Sequence, residues 1–315
     1  MKYGLLFIFA FCISNRSFAD NSYVRRLYER LTGIPLLLND PRVAILEQMV
    51  ADGRSQDAVH LITDDPEFLQ VTVRDFAMVM SNHELSPYTP LNDFVAMVVG
   101  VTRDGGDARE LLTGDFRYVG LDQFSLPAIS RDNDQHYEKL DELRVPLKSA
   151  LFRVAPQWPG IPDAAGLLTT RAWAVAHMSG GTNRRALQYA FQEFLCRPIP
   201  TWKDVTIPDD RIRCDVSRAP SGNPEEFRAN CRGCHAPMDA LAGAFSHFDA
   251  PTIAGGIVRF VYLPDRVAKK TYQNSGVFPF GYTTQDDSWE NFLASNATFG
   301  WNSPNKGRGV NSLGN

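Results

Sequence analysis

Apolar residues recur every three to four positions along most of this chain, the period of helices with one buried face. Tyr23, Val24, Leu27 and Leu31 keep that spacing and stop at Gly33. Asp40-Pro41 reads as an N-cap followed by proline at the first helical position, and Val43, Leu46, Met49 and Val50 supply an apolar face before Gly53. Ser55 is placed to cap a short helix through Ile62. Asp65-Pro66 opens another, with Phe68, Phe76 and Met80 expected to point inward. Further helical pieces are predicted over Asp93 to Val101 and Asp107 to Leu112. Alternation with a period of two, the mark of a half-buried strand, is scarce.

Pro156, Pro159 and Pro162 cluster with Gly160 and predict a linker or surface crossing between two helical lobes. Beyond it, Thr169 or Thr170 can cap a helix that runs to Met178 and breaks at Ser179-Gly180-Gly181. Thr182 is placed to cap the next, where Leu187, Ala190, Phe191, Phe194 and Leu195 form a wide stripe ended by Cys196 and Pro198. Asn223-Pro224 opens a helix on which Phe227, Cys231 and Cys234 fall at i, i+4 and i+7, on one face. Asp239 is read as the cap of a second short helix bearing Leu241, Phe245 and Phe248. From Ala250 the composition shifts to glycine, aromatic and β-branched residues. Ile257 to Tyr262 fits one strand, and a long irregular tail follows. The expected fold class is mainly α, with a helical N-terminal lobe over 20–155 and a second helical domain over 166–315.

Residues 1–19 break the pattern. Lys2 gives a positive start, Leu5 to Ile13 form a short apolar core, and Ser17-Phe18-Ala19 offers a small-x-small cleavage site before Asp20. The run falls short of the roughly 20 residues that a spanning helix needs. Cys12 lies between bulky Phe11 and Ile13, which argues against a lipid anchor. The segment reads as a signal peptide cleaved after Ala19, so the mature chain is expected in the periplasm. A formal charge of −4 argues against non-specific nucleic-acid binding. No later stretch is apolar enough to span a bilayer.

Export changes the meaning of Cys231-Arg232-Gly233-Cys234-His235. Cys-x-x-Cys-His is the attachment pattern of a c-type haem: both thiols add across the vinyl groups of the porphyrin, and the histidine imidazole binds the iron. A bare CxxC also serves as a disulfide, a redox pair or half of a zinc site. Zinc needs four ligands, and Cys196 and Cys214 stand seventeen or more residues from this pair and from each other. A thioredoxin-like site needs a βαβ context that the pattern lacks. Outside the cytoplasm, where c-type haem is attached in bacteria, one covalent haem c on Cys231, Cys234 and His235 is the favoured reading.

With His235 as proximal ligand, the sixth ligand is the open question. The only later methionine, Met238, is too close to reach the opposite face of the ring. His177 and Met178, at a helix end before the Gly-Gly break, are the best placed candidates, ahead of His83, Met80 and His247. Each also has an ordinary reading as core filler or a satisfied histidine. Arg184 and Arg185 suit a propionate carboxylate, or simply a solvated helix face. Asp286 and Asp287 are adjacent and point apart, so no chemistry is assigned to them. Two cysteines remain after haem attachment, and in an oxidising compartment Cys196 and Cys214 are expected to pair. Such a bridge would contribute about 3 kcal/mol. The alternative is two separate thiols.

The stretch from Cys231 to Asp249, Cys-Arg-Gly-Cys-His-Ala-Pro-Met-Asp-Ala-Leu-Ala-Gly-Ala-Phe-Ser-His-Phe-Asp, resembles the CxxCH-x-x-(Met/Ile)-Asp-Pro-Leu-Gly segment of exported bacterial cytochrome c-like proteins. That group is mostly uncharacterised and prominent in planctomycetes. Gly166-Leu167-Leu168-Thr169, Thr182-Asn183-Arg184-Arg185 and Phe194-Leu195-Cys196 are similar to the segment preceding its haem helix. Tyr28 to Gly33 and Leu91-Asn92-Asp93 are more loosely similar. The resemblance covers about 166–250 and implies a cytochrome c-like haem domain, with Cys231, Cys234 and His235 holding the haem, but no particular reaction. Ala240 departs from the group's proline, and Ala242 precedes Gly243 where the group has leucine. Similar proteins lead one to expect more chain beyond Asn315, so the expectation includes truncation with loss of a C-terminal ligand.

These readings converge on an exported mono-haem c-type cytochrome that passes electrons to an unidentified redox partner protein. Two competing classes remain: a haem enzyme, peroxidase- or oxygenase-like, with an open distal side, and a structural or binding module that haem merely stabilises.

Overall fold

The computed structural model describes residues 21–181, 184–293 and 306–314. The signal segment with its Ala19–Asp20 junction and the Thr182 cap lie outside them. Two compact units divide between Thr72 and Val73.

In the first unit, α1 (Asn21–Thr32), α2 (Pro41–Ala51) and α3 (Ser55–Thr63) enclose a small core of Val24, Tyr28, Leu36, Val43, Leu46, Ala58 and Ile62. Asp40 caps α2 as the sequence predicts, accepting the Arg42 backbone N–H at 2.9 Å, with Pro41 at the first turn.

The second unit is built on α5 (Asp93–Arg103), which follows α4 (Arg74–Met80) and is buried on nearly every side from Asp93 through Val101. Asn92 caps α5 by accepting the Val95 N–H at 3.1 Å. The inward face expected of the region before it is rotated. A π-helical turn at Phe68–Val73 adds a residue to the repeat, so Leu69, Val73, Ala77 and Met80 are buried while Phe76 is 68% exposed.

The chain is mainly helical, as expected. A strand pair that the periodicity did not predict nevertheless covers α5. Strands β1 (Arg117–Gly120) and β2 (Leu151–Val154) run antiparallel, with Arg117 opposite Val154. The ring of Tyr118 takes the space beside Gly100, where a Cβ would lie 2.3 Å from it. Between the strands, α6 (Gln135–Glu142) brings in His136, whose Nε2 accepts the Gly120 N–H at 2.9 Å and whose Nδ1 faces the Pro127 carbonyl at 2.7 Å.

The proline cluster is not where the chain divides. Residues 156–162 lie within the second unit as a packed crossing. Trp158 is buried and its Nε1 donates to the Thr169 carbonyl at 2.9 Å, while the buried Gln157 donates to the Gly166 carbonyl at 2.7 Å. Pro156, Pro159, Gly160 and Pro162 are themselves exposed, so the segment is a surface crossing anchored by buried Gln157, Trp158 and Ile161.

Helix α7 (Arg171–His177) starts at Thr170, whose hydroxyl accepts the Trp173 N–H, and ends before Gly180, which adopts a φ of 76°. Helix α8 (Arg185–Leu195) packs against α7 and against α9 (Arg232–Ala242), the helix of the Cys-x-x-Cys-His motif. Past α9 the expected single strand is only the pair Phe248–Asp249 with Val261–Tyr262. The tail is more regular than its composition suggests. Ser288–Glu290 pairs with Lys306–Arg308, and a final helix, Gly309–Gly314, is fixed by Asp163. The Asp163 carboxylate accepts the N–H groups of Val310 and Asn311 at 2.7 and 2.9 Å.

Candidate functional site

The motif helix begins as the sequence predicts. Asn223 accepts the Glu225 N–H at 3.0 Å and Pro224 takes the first helical position. A π turn over Phe227–Cys231 then precedes α9 and changes the phase between Phe227 and the thiols. Phe227 is buried, with the Arg218 guanidinium 5.0 Å from its ring centroid.

Cys231, Cys234 and His235 follow at i, i+3 and i+4, so they share one face of the helix, and all three are partly exposed. The opposite face, with Gly233, Ala236 and Pro237, is buried. Two residue choices explain how that face packs. Pro237 has no N–H, so the carbonyl four residues earlier, on Gly233, loses its helical donor. That carbonyl instead accepts the Asp204 N–H at 3.1 Å. Gly233 lets the Asp204 segment approach, since a Cβ there would lie 3.1 Å from the Asp204 nitrogen. The motif is thus seated on the neighbouring loop by its backbone, and its reactive side chains face outward.

Burial pushes the Cys234 thiol up, opposed by Lys203, and pushes His235 down, opposed mainly by Asp239. A neutral imidazole is the form that binds a metal. Among the described residues, no three His, Cys, Asp or Glu side chains converge as the ligands of a single ion would. The two thiols and the imidazole are spread along a face, which suits a flat group bonded at three points better than a lone ion. A cleft of about 530 Å³ borders the same helix, lined by Phe227, Arg228 and Arg232 together with Arg218, Phe278 and Phe280. None of Cys231, Cys234 and His235 lines this cleft. Asp209 and Asp210 offset part of the positive charge.

Sequence reasoning misread the ground beneath His235. Asp239 does not cap a second helix. It lies inside α9, its side chain fully buried. Arg184 donates to both its oxygens, at 2.5 Å from Nε and 2.9 Å from Nη2, and the Arg213 N–H donates to Oδ2 at 2.9 Å. Asp215 takes the remaining side of Arg184, at 2.6 and 3.0 Å. Burial raises the Asp239 pKa, but Arg213 and Arg184 outweigh it and leave the carboxyl below the usual range. Arg184 is therefore committed to two carboxylates rather than held ready for a propionate. Arg185 contacts His83, Nη1 to Nε2 at 2.6 Å, and lies over the Tyr189 ring. The signal for Asp239 was present as the i+4 partner of His235, while its arginines come from 55 and 26 residues away.

The expected distal ligands are engaged elsewhere. His177 is 1% exposed, its ring between Trp173 at 4.2 Å and Tyr189 at 4.4 Å, and Met178 is buried beside it. The helix end that looked free in sequence is a core position, because α8 folds back over it after the glycine break. Met80 is buried too, and His247 Nδ1 faces the Leu263 carbonyl at 2.5 Å.

The Cys196–Cys214 disulfide is not formed; both thiols are free. Cys196 ends α8 in the left-handed region, with a φ of 51°, and is exposed. Cys214 is buried against another loop, its sulfur 3.0 Å from the Gly281 carbonyl. Asp286 and Asp287 both pair with Arg308, a structural role. Among the described residues no helix is long and apolar enough to cross a membrane.

Comparison with protein-family models, with curated proteins and with solved structures finds no match.

Proposed function

We propose that this protein is an exported mono-haem c-type cytochrome that carries electrons in the periplasm. The observation that supports this best is the shared, partly exposed face of Cys231, Cys234 and His235 on a helix whose other side is buried. The two thiols would hold the porphyrin covalently, and His235 would be the proximal iron ligand. The bound group would supply one-electron chemistry. The chain's own contribution is to fix the imidazole, exclude water from beneath it and leave one side of the motif open to a redox partner protein. Cleavage after Ala19 belongs to the same proposal, because haem attachment requires export.

Expression with a cytochrome c maturation system tests it. The denatured protein should keep its haem on a gel and give a c-type pyridine haemochrome spectrum. Cys231→Ser and Cys234→Ser should each weaken attachment, and the double change should abolish it. A haem-free wild type from a competent periplasm would end this reading.

One observation favours a second reading. His177 and Met178 are enclosed in the core, so the distal position is left without its expected ligand. An open distal side suits a peroxidase- or oxygenase-like enzyme. A low-spin ferric spectrum with slow cyanide binding supports the carrier; a high-spin spectrum with fast reaction toward peroxide supports the enzyme.

A further inference from the structure

We propose that Asp239 is the hydrogen-bond acceptor that positions the His235 imidazole and sets how strongly that ring donates to iron. The inference rests on the haem reading above and names a positioning residue for it.

The first ground is placement. Asp239 lies one turn beyond His235 on the same helix, at i+4, so the two side chains rise on one flank. His235 Nδ1 is buried without a hydrogen-bond partner, and the Asp239 Oδ1 atom stands 4.0 Å from it. A ring whose Nε2 binds a metal carries its proton on Nδ1, and that proton needs an acceptor. A movement of about 1 Å would bring the pair within hydrogen-bond range.

The second ground is the support built around the carboxylate. A buried carboxylate is costly unless paired and hydrogen-bonded. Arg184 and the Arg213 backbone supply that pairing, and Asp215 balances Arg184 from its other side. The cluster therefore holds a fixed, ionised acceptor under the imidazole. The arginines also draw on the same oxygens, so the acceptor is weaker than a lone carboxylate would be. Through it the imidazole gains anionic character, which favours the oxidised metal.

The test uses the full-length holoprotein, with the haemochrome spectrum read first. In ¹⁵N-histidine-labelled protein, reduced and carbon monoxide-bound, the His235 Nδ1–H proton should resonate downfield, as for an imidazole bonded to a carboxylate. Asp239→Asn should move that resonance upfield and raise the midpoint potential. Asp215→Asn removes the same charge without facing His235, so it should leave the resonance in place and shift the potential less. If Asp239→Asn does not fold, the wild-type resonance still decides: a position typical of a carbonyl-bonded or water-exposed ring overturns the proposal. So does an Asp215→Asn variant that moves both readouts as far as Asp239→Asn does. Absence of covalent haem overturns this inference together with the functional reading. Covalent haem with an unmoved resonance overturns this inference alone.

Discussion

His177 should make the protein sensitive to mild acid, by an amount the structure allows to be worked out. The imidazole is 1% exposed, and burial is the largest cause of its pKa falling from 6.5 to about 3, with Arg185 and His83 adding to the effect against a hydrogen bond that the ring donates to the Met80 backbone carbonyl. The folded state therefore holds His177 neutral, while the unfolded chain takes up a proton below 6.5. Between those two values the unfolded state binds more protons, so stability is present above pH 6.5 and is lost as pH falls toward 3. Each pH unit inside the window costs about 1.4 kcal/mol. From pH 6.5 to 4.5 the contribution of this one residue is roughly 2–3 kcal/mol, a large share of a typical 5–15 kcal/mol stability.

Urea melts at pH 6.5, 5.5 and 4.5 on wild type and on His177→Phe measure it. Phenylalanine keeps a ring between Trp173 and Tyr189 and cannot titrate. Its stability at pH 6.5 can differ from wild type for packing reasons, so the comparison is of slopes. Wild type should lose about 1.4 kcal/mol per pH unit more than the variant. Parallel slopes would refute the burial argument. If the protein carries the proposed haem, the variant should also keep the wild-type visible spectrum; a switch from low spin to high spin would show that His177 is a ligand of that haem.

Other consequences are as direct. Arg184→Ala leaves the fully buried Asp239 carboxylate short of its main partner, and should cost roughly 3–5 kcal/mol in a urea melt; a loss under about 1 kcal/mol would mean the cluster is not a stabilising unit. Thiol labelling of the native protein should modify Cys196 quickly and Cys214 only after unfolding, whereas protection of both under denaturing, non-reducing conditions would restore the disulfide. Intact-mass analysis of periplasmic protein should find Asp20 as the first residue, and retention of Met1 to Ala19 would contradict cleavage.

What could be read from the sequence was what short-range chemistry decides. Asp40-Pro41 and Asn223-Pro224 mark helix starts because the cap, the proline and the first turn lie within three residues of one another. The motif was legible for the same reason, since Cys231, Cys234 and His235 need only one turn of helix to share a face. The two π turns were not legible. Both Phe68–Val73 and Phe227–Cys231 insert a residue that the apolar spacing does not mark, and each shifts the face that follows, which is why Phe76 emerged into solvent. Strands β1 and β2 have four residues each, too short for alternation to stand out.

The site's support was lost to distance rather than to ambiguity of spacing. Asp239 was visible four residues after His235, yet local rules give an aspartate in that position a capping role. Only Arg184 and Arg213, brought in by α8 and by the loop before the motif, turn it into a buried charge. The disulfide expectation failed in the complementary way. Two leftover thiols in an oxidising compartment satisfy composition, but pairing demands Cα atoms within about 7 Å and converging Cβ vectors. Cys196 closes a helix toward solvent, while Cys214 is drawn under the Phe278–Thr283 loop, where its N–H and C=O bond Tyr282 and Phe278 at 3.2 and 2.7 Å. That backbone pairing fixes the thiol inward, where its sulfur meets the Gly281 carbonyl and no second thiol. The same long-range contacts that made Cys214 unavailable also position Asp215 beside it, on Arg184. One loop thus serves the ground beneath His235 at the expense of the bridge that composition alone would favour.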